Sequence, residues 1–300
     1  MVISIGFICF CLFSAGGYYF FVEGLKRKYP ERFEKIRQLA CDPSYYEIVF
    51  IGSSRTLYGI DTKEIQKTTG KKVFNAGLEG ATANEMLFAL KTFLSSHPAP
   101  KHVYVMLDLH TFKAKSSDPI NLHYYTSLLN CGNISDNLEP LVGTKIVLWK
   151  KVPFLSLIDF SEQMRAEAIH GWLHPSSAQH SYDGYIPLIR HFSKSTNHEN
   201  FSSDTISIRD RSSFQEFQKI TQQKGIAVHY FEGAYLSTWA EIHKPSRIYD
   251  KLSTTLPINS PLKQYTGFAD TLFFKDETHL NAIGAKKYAE ILAFYINHEL

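Results

Sequence analysis

The stretch Ile48-Val49-Phe50-Ile51-Gly52-Ser53-Ser54-Arg55 constrains this chain more than any other. Its four apolar residues, mostly β-branched, read as a buried strand. Gly52 then permits a tight exit that leaves a pair of hydroxyls at the strand's carboxyl end, the place where open α/β sheets keep their sites. Asp61, with Glu64 three residues on, can cap a helix beginning near Thr62. The hydroxyls therefore fall in a strand-to-helix turn with backbone N–H groups nearby, a setting that suits a nucleophile.

Further along, Lys71 to Ala76 reads as a second strand and 77–80 as a loop. Thr82 with Glu85 opens an amphipathic helix to about Ser95, Pro98 and Pro100 close it, and His102 to Asp108 is a third buried strand. Strand, helix, strand, helix, strand at this spacing predicts a parallel sheet with right-handed crossovers. Residues 111–204 break the rhythm. Leu141 to Trp149 and Phe154 to Phe160 suggest helices there, and Ser176 to Ser203, rich in Ser, His and Asn, suggests a long loop or lid. A helix from Ser212 to Gln223, its stop at Gly225 and a strand from Ile226 to Phe231 restore the pattern before a second insert at about 233–268. The last helix, Ala282 to about Asn297, presents one apolar stripe of Ala282, Ala285, Ala289, Leu292 and Ile296.

Three hundred residues at 44% hydrophobic content suffice for one large α/β domain plus an anchor. A net charge of +3, with acids nearly balancing bases, argues against nucleic acid as a partner, and no zinc-type cysteine spacing or cofactor motif stands out. The residues from Val2 to Val22, 21 in number, include no charged side chain. At about 1.5 Å each they match the roughly 30 Å hydrocarbon core of a bilayer, so residues 1–24 read as an uncleaved transmembrane helix. The absence of a basic n-region and the poor Ser14-Ala15-Gly16-Gly17 cleavage site argue against a signal peptide. Lys26, Arg27, Lys28, Arg32, Lys35 and Arg37 all follow this segment, which by the positive-inside rule puts the main domain in the cytoplasm. Residues 25–43 read as a charged juxtamembrane stalk, and 44–300 as one domain. Cys9 and Cys11 fall in the apolar run; for Cys41 and Cys131, two buried free thiols are favoured over a disulfide.

A serine hydroxyl needs a base, and the base an orienting group. The segment Phe273-Phe274-Lys275-Asp276-Glu277-Thr278-His279-Leu280-Asn281 places an acid and a histidine three apart, just ahead of a helix that Asn281 can cap. GSSR early, an NAG…G segment soon after and DETHLN near the end together resemble the SGNH/GDSL hydrolase superfamily, in particular its membrane-anchored, cell-envelope acyltransferase-like members. The resemblance covers roughly 45–110 and 270–298. It implies a flavodoxin-like, three-layer α/β/α fold with a central parallel sheet behind the transmembrane helix, and a domain on the extracytoplasmic side, against the positive-inside rule.

Carried over residue by residue, the resemblance makes Ser54 the nucleophile, His279 its base and Asp276 the orienting acid. Oxyanion donors are then the backbone N–H groups of Ser54 and Gly80, with Gly77 as the competing choice for the second. Where the family commonly shows Gly-x-Asn-Asp, this chain has Leu107-Asp108-Leu109-His110, so the usual asparagine donor is missing and His110 is a substitute at best. Ser53 stands where GDSL enzymes have Asp. Arg55 binds an anionic substrate group or, the favoured reading, pairs with a surface acid. The implied activity is serine-dependent acyl transfer, by an O-acyltransferase or an esterase, on a cell-envelope polysaccharide or glycan. Its partners would be an acyl donor, a glycan acceptor and a membrane-bound acyltransferase. A non-catalytic binding or assembly protein of the same fold and a lipid esterase are the competing readings. Residues 111–204 are material for an acceptor site, in which Trp172 and Tyr182 stack on sugar rings or, the favoured reading, simply fill core.

Overall fold

The computed structural model describes residues 2–107, 111, 121–176, 181–189, 191–194, 208–243 and 268–299, the side chains of 2–13, 208–211 and 299 excepted. In chain order its elements are α1 (Val2–Lys28), α2 (Pro30–Cys41), β1 (Ile48–Ile51), α3 (Ser54–Gly59), α4 (Thr62–Thr69), β2 (Val73–Asn75), α5 (Ala83–Ser96), β3 (His102–Leu107), α6 (Ile134–Val142), α7 (Lys145–Lys151), α8 (Glu162–Leu173), α9 (Ile208–Gln223), β4 (Ala227–Glu232), α10 (Ser237–His243) and α11 (Ala282–Glu299). The four strands form one parallel sheet in the order β2-β1-β3-β4, with Val49 registered against Phe74 on one side and Val103 on the other. Strand order reverses between β1 and β3, which opens a crevice at their carboxyl ends.

Alternation along the strands supplies two cores. Val49, Ile51, Phe74, Val103 and Val105 join one cluster with Ile36 and Leu39 of α2, Leu90 and Phe93 of α5, and Phe217 of α9. Ile48, Phe50, Val73, Tyr104 and Met106 join the other with Ile65 of α4 and Tyr288, Leu292 and Ile296 of α11. Helices thus cover both faces of a central parallel sheet, as an all-parallel sheet requires. Asp61 caps α4 by accepting from Glu64 N–H at 3.2 Å, and Glu85 accepts both the N–H and the hydroxyl of Thr82 at the start of α5. Both caps match the sequence pattern.

Other expectations need correction. The apolar run from Leu141 to Trp149 is not one helix, because Gly143, at φ 86°, ends α6 before α7 begins. Phe154 to Phe160 lies mostly in a 3₁₀ turn, Pro153–Asp159, rather than an α-helix. Residues 25–43 do not form a free stalk: Pro30 starts a new helix, and Phe33, Lys35, Ile36, Leu39 and Ala40 of α2 are buried in the domain. Of the anticipated lid, 177–180, 190 and 195–203 lie outside the described residues, as do 244–267 of the second insert. The part of the lid that is described includes a Tyr182-to-Tyr185 turn on the edge of β2, where Asn75 N–H donates to Asp183 O at 2.9 Å. Lys35, buried, fastens that turn by donating to the carbonyls of Asn75 and Gly184.

Among the described residues no helix is long and apolar enough to cross a membrane, but the side chains of residues 2–13, over half of the expected segment, lie outside that description. The free-thiol reading of Cys41 and Cys131 is overturned, since the two form a disulfide with Cα atoms 5.6 Å apart. The pairing brings the end of α2 against the turn before α6, where Gly132, at φ 50°, packs on the Ala40 carbonyl. This bond closes a loop across a sequence separation of 90, so it restricts the unfolded chain strongly. Replacing both cysteines by alanine is expected to lower the unfolding free energy by about 3 kcal/mol, measured by urea titration beside the oxidised parent.

Candidate active site

The turn after β1 is possible only with glycine at position 52, because a Cβ there would collide with the Thr56 hydroxyl in the first turn of α3. Ser53 caps that helix, accepting from Arg55 N–H at 3.3 Å, and this leaves Ser54 at its first position with the hydroxyl directed away from the cap. Ser54 Oγ lies 2.9 Å from His279 Nε2. His279 Nδ1 lies 2.9 Å from Asp276 Oδ1 and 3.1 Å from Oδ2. A carboxylate can only accept, so the imidazole proton belongs on Nδ1 and Nε2 is left to accept from the serine.

The acid is held from several sides. Its Oδ1 accepts the N–H groups of Thr278 and His279 and the Thr278 hydroxyl, each at 3.0 Å, while Lys275 Nζ lies 3.5 Å from Oδ2. Burial acts to raise the Asp276 pKa and is the largest single influence. The hydrogen bond and charge of His279, with help from Thr278 N–H and Lys275, outweigh it and hold the carboxyl well below the usual carboxylate range. Asp276 is therefore ionised wherever the imidazole needs it.

The loop itself is tied down at both ends. Phe274 bridges Leu280, Lys275 N–H donates to His279 O at 2.9 Å, and the Asn281 side chain caps α11 through the N–H groups of Ile283 and Gly284. Asn281 Nδ2 reaches back to Leu272 O at 2.7 Å.

Arg55 does not sit at the surface. It is buried, donates to Thr278 O at 3.1 Å and Ala234 O at 2.5 Å, and lies 3.5 Å over the Tyr235 ring. It thus clamps the nucleophile's helix to the loop that carries the histidine. Asn75 is another residue whose role the sequence left unstated. Fully buried at the end of β2, it donates to the carbonyls of Thr56 and Ile60 and accepts Gly77 N–H at 2.9 Å. The signal was present in both cases: a polar side chain ending a buried strand, and a cation next to the candidate nucleophile.

Leu78 N–H bonds to Gly52 O at 3.0 Å, which keeps the 77–80 loop beside the serine turn. Because Gly77 N–H is committed to Asn75, it is unsuited to serve as an oxyanion donor. Gly80 is exposed at φ 69°, and its N–H has no partner among the described residues. Asp108, Leu109 and His110 lie outside the described residues. Tyr58, 6.4 Å from the His279 ring, bonds Glu79 at 3.1 Å and accepts from Arg32, which is itself paired with Glu79.

One cavity borders the 77–80 loop, and a second lies within the first insert. One of about 40 Å³ is lined by Leu57, Gly77, Leu78 and Glu79 together with Arg32 and Tyr124. The other, about 240 Å³, is built by the first insert from His123, Trp149, Ser156, Asp159 and Phe160, and Asn121 lines both. Trp172 and Tyr182 line neither: Trp172 packs on α1, and Tyr182 is half exposed near Lys63. Among the described residues no group of His, Cys, Asp and Glu is placed to hold a metal ion.

No family model and no curated protein matches the chain. Solved structures similar to it at a low level include the following two. One is a provisionally named acylhydrolase from Bacteroides fragilis, 13% identical with a TM-score of 0.37, the match covering 87% of this chain and 90% of that one. The other, from Streptococcus pneumonia and provisionally named as a platelet activating factor, is 14% identical with a TM-score of 0.32, covering 91% and 94%. Likenesses this distant carry no chemical conclusion, and the function rests on the site.

A depressed carboxyl pKa contributes stability that is fully present above the unfolded value of about 3.9 and is lost as the pH falls through the folded value. The stability difference between the parent and Asp276→Asn, from urea unfolding, is therefore expected to be constant from pH 7 to about pH 5 and to shrink below about pH 4.

Proposed function

We propose that this protein is a serine-dependent acyl-transfer enzyme with Ser54 as nucleophile, His279 as general base and acid, and Asp276 as the group that orients the imidazole. The observation that carries the reading is the unbroken Ser54–His279–Asp276 relay, with both links at 2.9 Å. Nε2 takes the hydroxyl proton as Oγ attacks the ester carbonyl carbon, and the imidazolium so formed is stabilised by the ionised Asp276. Backbone N–H groups of Ser54 and Gly80 are the proposed donors to the tetrahedral oxyanion. When the intermediate collapses, the leaving alkoxide receives the proton from Nε2 and the acyl group remains on Oγ. A second hydroxyl, from water or an acceptor, then repeats the sequence in reverse.

Transfer to a sugar hydroxyl on an envelope glycan is the finer reading. The insert supports it, because a bound hydroxyl competes with water only when the protein orients it, and the insert provides a partly aromatic, partly polar recess. The membrane is proposed to hold the enzyme through a single span at Val2 to Val22, with a membrane-bound acyltransferase as a source of acyl groups. For the compartment, the Cys41–Cys131 disulfide favours the oxidising, extracytoplasmic side over the cytoplasm that the basic residues after the span would indicate.

A fluorophosphonate probe is expected to label Ser54 in the intact chain, and Ser54→Ala to lose both labelling and at least about a thousandfold in turnover of an activated ester. Adduct at Ser53 would overturn the assignment to Ser54, and a folded chain with neither adduct nor turnover would favour a non-catalytic binding protein. Envelope oligosaccharide added to the ester assay is expected to divert acyl groups from free acid to acylated sugar. Hydrolysis indifferent to glycan marks an esterase instead, and preference for long-chain lipid esters a lipid esterase. Topology is read separately with Lys67→Cys, whose parent side chain is 71% exposed. A membrane-impermeant maleimide is expected to label it in intact cells; labelling only after lysis places the domain in the cytoplasm.

A further inference from the structure

The cavity of about 240 Å³ in the first insert is not accounted for by the Ser54–His279–Asp276 site. Its walls come from the 3₁₀ turn Leu122–Tyr124, from α7 and from the 3₁₀ turn Pro153–Asp159. Trp149 and Phe160, both buried, supply the apolar part. His123 is only 7% exposed, and among the described residues its Nδ1 has no hydrogen-bond partner. A buried polar atom left unpaired costs about 1–3 kcal/mol, so an imidazole kept in that condition on a cavity wall points to a ligand that completes it.

The polar part of the wall is dominated by acceptors. Thr126 Oγ1 donates its proton to His123 O at 3.0 Å, and Ser156 Oγ donates to Pro153 O at 2.7 Å, so these hydroxyls have only lone pairs left for a further partner. Asp159 is paired with Lys145, whose amine also stands 5.0 Å over the Trp149 ring. Burial, helped by the charge of Arg32, pushes the His123 pKa down to about 4, so the imidazole is neutral at pH 7. The amide of Asn121 adds one group that both donates and accepts. A wall rich in lone pairs disfavours phosphate and carboxylate groups, and with Asp159 already balanced by Lys145 it has no need of a cation. It matches a neutral molecule with several O–H donors and an apolar C–H face, which describes a sugar ring. Sites for drug-sized ligands begin at roughly 300 Å³, so this volume admits one ring and not two.

We infer that this cavity is a subsite for one neutral sugar ring, held by a hydroxyl on His123 Nδ1 and by its C–H face on Trp149 and Phe160. The inference rests on the reading of a glycan acceptor and deepens it: the ring bound here is a unit of the glycan other than the one acylated. Asn121 lines this cavity and also the smaller one, which Gly77, Leu78 and Glu79 border. Leu78 N–H is bonded in turn to Gly52 O, so the subsite connects to the serine turn through Asn121 and the 77–80 loop. A single sugar fills one place at a time, whereas a longer glycan held in the subsite presents its next hydroxyls at a raised effective concentration.

The test uses the full chain in detergent with tetramers of glucose, of N-acetylglucosamine and of galacturonic acid, the last as an anionic control. Saturation-transfer NMR is expected to show a neutral tetramer bound and the acidic one unbound, and His123→Phe, which keeps a ring but removes the acceptor, to weaken binding about tenfold. With an activated ester as acyl donor, the bound tetramer is expected to be acylated at a concentration about tenfold lower than its monosaccharide, and His123→Phe to abolish that advantage. Where His123→Phe folds poorly, Asp159→Asn at the partly exposed mouth replaces it, with a loss of about threefold expected. No neutral tetramer bound, the acidic one bound equally well, or binding indifferent to these substitutions overturns the subsite, and fluorophosphonate labelling of Ser54 on the same chain then leaves the acyl enzyme standing. A neutral tetramer bound in a His123-dependent way, on a folded chain that neither labels nor turns over ester, keeps the subsite and overturns the acyl-transfer reading.

Discussion

The buried amide of Asn75 is the interaction on which the site's geometry depends most. Helix α3, Ser54–Gly59, is only six residues long and cannot sustain itself, since a single turn repays little of the cost of nucleation. Its carbonyls at Thr56 and Ile60 are satisfied by Asn75 Nδ2, and Asn75 Oδ1 at the same time accepts Gly77 N–H. One side chain therefore sets the exit from β1, the exit from β2 and the distance between them. A buried network of this kind is rigid because leaving any member unpaired costs about 1–3 kcal/mol. Gly52 and Gly77 complete the constraint, as both sit against Thr56 too closely for a Cβ.

The other half of the site comes from 225 residues away and is fixed by different means. Asn281 starts α11, which packs through Tyr288, Leu292 and Ile296 on the sheet face that Phe50 of β1 also serves. The serine turn and the histidine loop thus share one apolar core beneath them and one cation between them, Arg55. Because Arg55 bonds the Thr278 and Ala234 carbonyls, its charge positions backbone and leaves Asp276 to be ionised chiefly for His279. Positioning and proton transfer are in this way assigned to separate charged groups, one on each side of the crevice.

The frame was readable in the sequence because each of its parts is local. Ile48 to Ile51, the Asp61 and Thr82 caps and the stripe after Asn281 each announce themselves within a few residues, and the structure has them where the patterns put them. The Ser54, Asp276 and His279 set was also readable, since DETH is a short motif in a recognisable position. What could not be read depends on contacts between distant segments. No local rule pairs Cys41 with Cys131, sends Arg55 inward to two carbonyls, or draws Trp172 onto Phe20. The inserts failed for another reason: Gly143 was hidden inside an apolar run that looked continuous, and its positive φ divides that run into two helices.

The same distant contacts change what the start of the chain can do. A charged segment after a membrane span would ordinarily act as a flexible spacer, with the domain free to wander over tens of ångströms. Here α2 is held by Phe33, Ile36 and Leu39 in the core, by the Cys41–Cys131 bond at its end, and by Lys35, whose amine burial drives well below its usual pKa and which is satisfied by two carbonyls and no acid. A buried lysine that can be neutral avoids the penalty of an isolated charge and still ties α2 to β2 next to Asn75. The chain leaving α1 is thus tied, through Pro30, α2 and Lys35, to β2, the strand whose last residue sets the serine turn. For an enzyme anchored by α1, the height and orientation of Ser54 above the membrane would then be properties of the fold, and an acceptor would have to be presented at that height.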